Sequence, residues 1–429
     1  MNERERAYRA LLRVELDRAR ADFAIERESA GESDRGFIAT VVRGVLRWRT
    51  RLDFLIERLA RRKIGSIDPE VVVLLRSGLY QMMEMEAPAY AVVNEHVEIA
   101  ARRTPRARGF VNAVLRGATR TSLVSLLPAG EGAEALAIRT GHPEWLLRRW
   151  ISRFGLDRAR RIAEANQEPS YPDVLVDTAK LSLEDAADLL HRKGIAAEPS
   201  PFGLPMFRLR GSTAALAEEI ERGMFHPMDE GSAIVAELVE SGVSVLDAAA
   251  APGGKSIVLR LRGNAVTGLD RSLSRLASMQ RIWKRVFGSL PRAVAGDATS
   301  LPFRAAFHTV LLDAPCSATG TIRKNPEVRH RITAGELDEH GARQLAMLLS
   351  VADLAEREII YATCSIEPEE NRSVVLAFLE RRPEFERLDL GPRVPPSLSG
   401  ALEEGALVLT PEMGLDGYTA SGLRRRSSE

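Results

Sequence analysis

The chain has only two cysteines among its 429 residues, and this scarcity already limits its chemistry. Two are too few for a disulfide framework in a chain of this length. Neither Cys316 nor Cys364 has further ligands at the close spacing of a zinc site, so no metal is expected. A lone cysteine is most often a small buried apolar residue, so its surroundings must decide whether it has a chemical role.

Long apolar runs are also missing from the sequence. None approaches the roughly 20 residues that a membrane-spanning helix needs. The charged segment from Met1 to Arg6 is unlike a secretory signal, so we expect a cytoplasmic protein with no membrane partner. The apolar content of 45% and the charged content of 28% are ordinary for a globular protein of two or three domains.

Lysine is scarce, because only six of the 60 basic residues are lysines and the rest are arginines. Arginine suits bidentate phosphate contacts and stacking on bases, which weakly favours an RNA partner. A GC-rich genome produces the same bias without any such function. The net charge of +1 offers no global electrostatic reason to bind nucleic acid.

Residues 1–128 have the apolar spacing of helices throughout. Apolar side chains recur at helical spacing over residues 37–59. Asp68, Pro69 and Glu70 form a helix start, with a capping aspartate, proline at the first helical position and an acid in the first turn. Arginines flank the predicted helix at 110–115, as on a solvated face or on one that contacts RNA. We expect an all-helical domain over 1–128.

Two further regions follow this helical one. Residues 129–232 begin with the glycine-containing linker Ala129–Gly132 and then mix predicted helices with short strands, which indicates a small α+β module. Residues 233–425 alternate strand and helix, which is typical of a doubly wound parallel sheet. The overall prediction is a multidomain protein with an all-α, an α+β and an α/β part.

Four successive strands of the predicted parallel sheet end at aspartates, namely Asp247, Asp270, Asp297 and Asp313. In an open α/β sheet ligands bind at this end of the strands. An aspartate after the second strand suits ribose hydroxyls, and one after the third suits an adenine edge. Each one alone is more often a helix cap, but four in register indicate a ligand site.

The loop after the first of these strands, residues 248–256, is rich in alanine and glycine and opens a helix. It has neither the GxxxxGK[ST] spacing of a phosphate-binding loop nor the GxGxxG of a dinucleotide site. A site for adenosine without a pyrophosphate points to S-adenosylmethionine as the cofactor.

Both cysteines follow short apolar runs, Leu311–Leu312 and Ile360–Tyr361, at the same predicted sheet edge. Two thiols delivered to one edge suggest paired chemistry. A thiolate that adds to C6 of cytosine makes C5 nucleophilic toward a methyl sulfonium, and a second acid or base then helps to release the product. Asp313 is placed to bond the base edge or to protonate N3.

These motifs resemble those of the RsmB (Sun/Fmu) family of ribosomal RNA cytosine-C5 methyltransferases over almost the whole chain. The matching segments are the loop from Asp247 to Lys255, Asp313–Gly320, and Thr363–Ser365 with the following Glu367–Asn371. In the helical region, Val93–Glu95 and Phe110–Arg116 resemble the NusB-like RNA-binding domain of that family. The resemblance implies a Rossmann-like methyltransferase domain at the C-terminus.

The resemblance also implies roles for individual residues. Cys364 would be the nucleophile and Cys316 would assist product release. The cofactor and target base would be held by Ala249, Ala250, Ala251, Pro252, Gly253, Gly254, Lys255, Asp270, Asp297 and Asp313. The RNA partner would be 16S ribosomal RNA, free or in an assembling subunit, bound by a monomer, and Arg323 and Lys324 would reach its phosphates.

Some positions depart from the family pattern. Ala249 stands where a cysteine is common, and His308 stands where the family usually has an aspartate. Leu175–Asp177 stands where Arg-Val-Asn is expected, and Met228-Asp229 lacks an expected glutamine. Together these departures leave the target nucleotide open. One alternative is a DNA cytosine-C5 methyltransferase, in which Cys316 would attack. Others are an enzyme acting on another RNA such as tRNA, and a non-catalytic RNA-binding assembly factor.

Overall fold

The computed structural model describes residues 2–29 and 31–426, which divide into two compact units. Unit 1 comprises Met1–Glu168 and Asn325–Arg331, and unit 2 comprises Pro169–Lys324 and Ile332–Glu429. A segment from within the methyltransferase-like part of the sequence thus belongs to the helical unit. No helix of the described ranges is long and apolar enough to cross a membrane.

Unit 1 is helical, and its residues 1–128 are those for which the apolar spacing of the sequence predicts helices throughout. The Asp68 carboxylate accepts a hydrogen bond from the Glu70 backbone N–H at 2.9 Å, so the predicted helix start is confirmed. Its helices before residue 169 are α1 (Glu3–Glu15), α2 (Ala21–Glu28), α3 (Glu32–Ala60), α4 (Pro69–Met83), α5 (Ala89–Arg103), α6 (Arg108–Ala118), α7 (Ala133–Thr140), α8 (Glu144–Phe154) and α9 (Leu156–Ala165).

The segment of residues 325–331 is anchored in unit 1 by buried polar contacts. The Arg329 guanidinium is fully buried and donates through Nη1 to the backbone oxygens of Arg47 at 3.2 Å and Thr140 at 3.3 Å. The His330 ring contacts the Leu46 backbone oxygen at 3.1 Å. The sequence pattern does not predict that residues 325–331 belong to unit 1.

The first part of unit 2 is a small antiparallel sheet covered by helices. Its strand order is β2-β3-β1-β4, and Leu175 pairs with Met206 on one side and His226 on the other. The elements are β1 (Asp173–Val176), α10 (Leu183–Arg192), β2 (Ala197–Pro199), β3 (Met206–Leu209), α11 (Ala217–Glu221) and β4 (Phe225–Pro227). The α+β module predicted over 129–232 is found here from residue 169 onward, whereas residues 129–168 belong to unit 1.

The second part of unit 2 is a large sheet with helices between its strands. Its elements are α12 (Glu230–Glu237), β5 (Ser244–Asp247), α13 (Gly254–Leu261), β6 (Ala265–Asp270), α14 (Leu273–Phe287), β7 (Arg292–Ala295), β8 (Phe307–Asp313), α15 (Val328–Arg331, grouped with unit 1), α16 (Ala334–Val351), β9 (Ala355–Thr363), α17 (Arg372–Arg381), β10 (Phe385–Leu388), β11 (Leu402–Glu403), β12 (Ala406–Leu409) and β13 (Tyr418–Arg425).

The large sheet is parallel only in part. Strands β7, β6, β5, β8 and β9 lie side by side and run parallel, as the alternation of strand and helix predicts. Strand β13 joins β9 antiparallel, and β10 and β12 pair antiparallel with β13. A short connection of residues 410–417 separates β12 from β13, and antiparallel neighbours are what so short a link permits.

The topology creates a ligand crevice at one edge of this sheet. Strand β5 lies between β6 and β8, so the chain leaves β5 toward one side of the sheet and later returns on the other. At such a switch point the loops after the two adjacent strands diverge and leave a crevice. The loops concerned follow Asp247 and Asp313, the first and the last of the four predicted aspartates.

Candidate active site

The loop after β5 begins at a buried aspartate whose hydrogen bonds are incomplete. Asp247 is 1% exposed, and its Oδ2 accepts a hydrogen bond from Ser256 Oγ at 2.5 Å. Its Oδ1 is buried without a hydrogen-bond partner in the described protein. Burial raises the pKa of Asp247 to about 6. A buried acceptor without a partner at the crevice is suited to a donor on a ligand.

Glycine is required where this loop turns into α13. Gly253 has φ of +109°, a conformation that other residues avoid, and an added Cβ would come within 2.9 Å of Met279 Cγ. Ala249, Ala250, Ala251 and Pro252 precede it with small side chains. The loop backbone therefore lies open to a ligand.

Asp270, at the end of β6, forms a hydrogen bond with the same loop. Its Oδ2 accepts from the Ala251 backbone N–H at 3.2 Å, and its Oδ1 accepts from the Ser272 backbone N–H at 2.9 Å. Arg275 forms an ion pair with Asp270 at 3.5 Å and donates to the Ala251 backbone oxygen. Asp270 thus positions the alanine-rich loop.

Asp297 lies on the surface beyond β7. Its Oδ1 accepts from the Thr299 backbone N–H at 2.8 Å and from Thr299 Oγ1 at 2.7 Å, and these hydrogen bonds lower the pKa of Asp297. Neither Asp297 nor Asp270 lines the cavity described below, in contrast to Asp247 and Asp313.

The two cysteines meet although 47 residues separate them in the sequence. Cys316 follows β8 and Cys364 follows β9, and their sulfur atoms are 3.2 Å apart. The parallel register that pairs Asp313 with Ala362 brings the two loops side by side. The Cys364 hydrogen bond, followed by burial, raises the pKa of Cys316 well above its usual value. Either thiol can donate its S–H to the other across this contact.

A buried cation lies in the same crevice. Lys255 Nζ is 2.7 Å from Asp313 Oδ2 and 2.7 Å from Ser232 Oγ, and it lies 5.1 Å from the centre of the Tyr418 ring. Burial acts to lower the pKa of Lys255, but the Asp313 carboxylate outweighs it, so the pKa is raised. The charge of Cys364 acts in the same direction. Lys255 thus supplies a positive charge to the cavity that both cysteines line.

The fully buried Glu370 carboxylate links the two cysteine loops by hydrogen bonds. Its Oε1 accepts from the Ser317 backbone N–H at 2.8 Å and from Gln344 Nε2 at 3.0 Å. Its Oε2 accepts from Ser365 Oγ at 2.5 Å and also from Ser317 Oγ. Because Ser317 and Ser365 directly follow the two cysteines, one carboxylate sets the position of both.

These side chains surround a single cavity of about 420 Å³. Of the predicted site residues, both cysteines, Asp313, Lys255, Gly254 and Ala249–Pro252 line it. Sequence reasoning missed Ser232 and Tyr418, which arrive from α12 and β13. No local motif marked them, because only the sheet pairing of β13 with β9 brings Tyr418 to this edge.

Arg323 and Lys324 do not have the free charges that phosphate contacts would need. Lys324 forms ion pairs with Asp229 and, at 3.0 Å, with Asp416, and Arg323 lies 3.3 Å from Asp416. Burial, followed by the nearby Asp229 charge, raises the pKa of Asp416 to about 7. The predicted phosphate contacts are replaced here by an internal ion-pair cluster that borders the cavity at Asp229.

Comparison with protein families identifies the parts of the chain. Residues 234–423 match a family described as 16S rRNA methyltransferase RsmB/F. Residues 1–120 match the NusB family, and residues 142–214 match the ferredoxin-like domain of RsmF/B-like methyltransferases. The large sheet with the loop after β5 at its edge is therefore a methyltransferase domain, as expected.

Whole-chain relatives give the family. The ribosomal RNA small subunit methyltransferase B of Thermus thermophilus is 32% identical over 99% of this chain and 98% of its own length. The protein of the same name from Pseudomonas putida is 32% identical over 97% of both chains. The chain belongs to this RsmB family, and the resemblance seen in its motifs is confirmed. The crystal structure of PH0851 shares the fold, with a TM-score of 0.79 and 21% identity over 99% of both chains.

Proposed function

We propose that this protein methylates C5 of a cytosine in 16S ribosomal RNA, with S-adenosylmethionine as the methyl donor and a covalent bond between Cys364 and C6 of the base. The observation that carries the proposal is the 3.2 Å separation of the two sulfur atoms in the lining of a cavity that also reaches the loop after Asp247. The relatives named as methylating the small ribosomal subunit RNA support the choice of substrate.

The residues around the loop after β5 fit the cofactor. The unpartnered Asp247 Oδ1 is an acceptor for its ammonium or hydroxyl donors, and the small side chains at 249–251 leave room for it. When bound, S-adenosylmethionine supplies an electrophilic methyl group. Asp247, Lys255 and the backbone of residues 249–254 would hold it.

Cys364 performs the covalent step in this proposal. Its thiolate adds to C6 of the flipped-out cytosine, which places electron density on C5. The Lys255 cation stabilises the anionic sulfur before attack. Asp313, held by Lys255 at 2.7 Å, is an acceptor for the exocyclic amino group that distinguishes cytosine from uracil.

Cys316 changes its protonation with the stage of the reaction. Its pKa is raised chiefly by the hydrogen bond to Cys364. Once the Cys364 sulfur is bonded to carbon, it is neutral, and that cause disappears. Cys316 can then lose its own proton to water and take the proton from the methylated C5. The C5–H electron pair re-forms the C5–C6 double bond as the Cys364 thiolate leaves. The choice of Cys364 as the attacking thiol follows the resemblance of Thr363–Ser365 to the family motif.

The test uses labelled S-adenosylmethionine with protein-free 16S RNA, assembled small subunits, tRNA and DNA as substrates. We expect wild type to label cytosine C5 of 16S RNA, Cys364→Ala to give no label, and Cys316→Ala to give a covalent protein–RNA adduct. Gly335→Ala, on an open helix surface, is the control that should behave as wild type.

Each contrary result has a defined meaning. An adduct formed by Cys364→Ala in place of Cys316→Ala would reverse the roles of the two thiols. Labelling of tRNA or DNA but not of 16S RNA would change the substrate. If wild type labels none of these nucleic acids, the proposal fails and a non-catalytic assembly factor becomes the better interpretation.

A further inference from the structure

The contact between the two sulfur atoms has a chemistry of its own, separate from methylation. Cys316 and Cys364 are the only cysteines in the sequence, and their sulfur atoms lie 3.2 Å apart. A disulfide bond has a sulfur–sulfur distance of about 2 Å, so an approach of roughly 1 Å would bring the two atoms to bonding distance. The two thiols are therefore close enough to be joined by oxidation.

Hydrogen bonds between the two cysteine loops keep the thiols in contact. Ser317 Oγ lies 3.2 Å from Ser365 Oγ, and the Glu370 carboxylate accepts hydrogen bonds from both serines. The Gly320 backbone N–H donates to the Cys364 backbone oxygen at 3.0 Å. Because the loops are held together next to both cysteines, each thiol meets the other at a high effective concentration.

A small solute in the cavity reaches both sulfur atoms. Cys316 and Cys364 are each partly exposed, and both line the cavity of about 420 Å³. Lys255 lines the same cavity, and its cation and a Cys364 thiolate attract one another. The thiolate is the form of cysteine that peroxides oxidise, and cysteines that sense oxidants combine an accessible thiolate with a neighbouring second thiol. Cys364 and Cys316 have these features.

We propose that Cys316 and Cys364 form a reversible oxidation site, at which a hydroperoxide converts the two thiols into an intramolecular disulfide that stops methylation. Formation of this disulfide requires neither RNA nor cofactor. Only the loss of activity rests on the proposed function, because a sulfur atom in a disulfide can neither add to C6 of cytosine nor take the proton from C5.

The reaction balances with hydrogen peroxide as the oxidant. The Cys364 thiolate attacks one peroxide oxygen, the O–O bond breaks, and the leaving hydroxide takes up the proton that Cys364 released on ionising; the product is a sulfenic acid. The Cys316 sulfur then attacks the Cys364 sulfur, the S–O bond breaks, and the departing hydroxide takes the Cys316 proton. The thiols lose two electrons and two protons, and one peroxide becomes two waters. A dithiol reverses the oxidation by thiol–disulfide exchange.

The test treats the full chain with hydrogen peroxide, without RNA or cofactor, and counts free thiols by alkylation in denaturant. We expect the count to fall from two per chain to none and to return to two with dithiothreitol. Non-reducing electrophoresis should show a monomer, and mass spectrometry of a digest should show the peptides of Cys316 and Cys364 joined. The fraction of methylation activity lost should equal the fraction of chains with the disulfide, and dithiothreitol should restore it.

Variants separate the pairing of the thiols from general oxidation. In Cys316→Ala the remaining thiol has no neighbour, so Cys364 should gain oxygen and proceed to sulfinic acid, which dithiothreitol does not reduce. Glu370→Ala removes the carboxylate that links the loops, so less disulfide and more sulfinic acid should form. Glu370→Gln, which keeps hydrogen-bonding groups at this position, and Glu380→Ala, which changes an exposed glutamate of α17, should form the disulfide as wild type does.

Four results would overturn the inference: a thiol count that stays at two, oxygen gained by Cys364 of wild type in place of the disulfide, a disulfide between two chains, or full methylation by the disulfide form. The thiol count also separates this inference from the proposed function. If untreated protein methylates RNA but forms no disulfide, only the oxidation site fails. If the disulfide forms in a protein that methylates no RNA, the oxidation site stands and the proposed function fails.

Discussion

Replacement of Glu370 tests whether one buried carboxylate aligns both cysteine loops. In Glu370→Ala the hydroxyl groups of Ser317 and Ser365 can rotate to new acceptors. The Ser317 backbone N–H and one of the two Gln344 amide N–H bonds cannot, and both are left buried without an acceptor. The other Gln344 N–H keeps the Pro315 backbone oxygen at 3.0 Å. In Glu370→Gln the remaining carbonyl oxygen can serve these two donors while the amide nitrogen donates to the serine hydroxyls.

The expected loss of stability follows from the number of buried donors that are left without an acceptor. Each buried unsatisfied donor costs about 1–3 kcal/mol, so two of them lower the free energy of unfolding by about 4 kcal/mol in Glu370→Ala. For a domain of this size that is a fall of about 8–16 °C in the unfolding midpoint. Glu370→Gln should cost about 1 kcal/mol. Displacement of the thiols by about 1 Å should cost Glu370→Ala on the order of 100-fold in methylation rate.

The assay combines chemical denaturation with methylation of 16S RNA at a temperature where each variant is folded. Glu380→Ala, an exposed glutamate of α17 in the same unit, is the control and should change neither quantity measurably. Wild-type stability and wild-type activity in Glu370→Ala would refute the alignment role. Equal losses in Glu370→Gln and Glu370→Ala would show that charge, and not hydrogen bonding, is what the loops require.

Two further predictions concern the packing and the charge of the site. Gly320→Ala should lose at least about 2 kcal/mol of stability, because the added Cβ would lie 2.1 Å from the Gly417 backbone oxygen. Gly335→Ala is the control, since its Cβ would meet open space and its stability should not change. Equal unfolding midpoints for the two variants would contradict this prediction. Asp247→Asn tests pH dependence. The folded-state pKa of Asp247 is raised from 3.8 to about 6. The free energy of unfolding of wild type, relative to that of Asp247→Asn, is therefore highest below about pH 4 and falls by up to about 3 kcal/mol as the pH rises through 6. Urea unfolding at pH 4.5 and 7.5 measures this difference, and a constant difference would exclude it.

The sequence alone was sufficient where the signal is local. The helix start at Asp68, the strand that ends at Asp247 and the segments around both cysteines each consist of a few neighbouring residues whose backbone preferences and apolar spacing agree. The family could also be recognised at this level, because its motifs are short and contiguous.

Contacts between distant segments could not be predicted in this way. Tyr418 reaches the cavity only because β13 pairs antiparallel with β9, and no local pattern marks that partner. The ion pairs of Lys324 with Asp229 and Asp416 likewise replaced the phosphate contact that its position suggested. Residues 325–331 join unit 1 although the sequence around them reads as part of the methyltransferase domain.

The sequence by itself determined which groups this protein has for chemistry: two thiols, a row of strand-end aspartates and an alanine-rich loop, each set by local composition. Only the tertiary structure decided how those groups act on one another. The 3.2 Å contact of the sulfur atoms, the raised pKa of Cys316 and the hydrogen bonds of Glu370 to both cysteine loops depend on the alignment of the parallel strands β8 and β9. That alignment comes from packing across the whole sheet, which no single segment of the chain encodes.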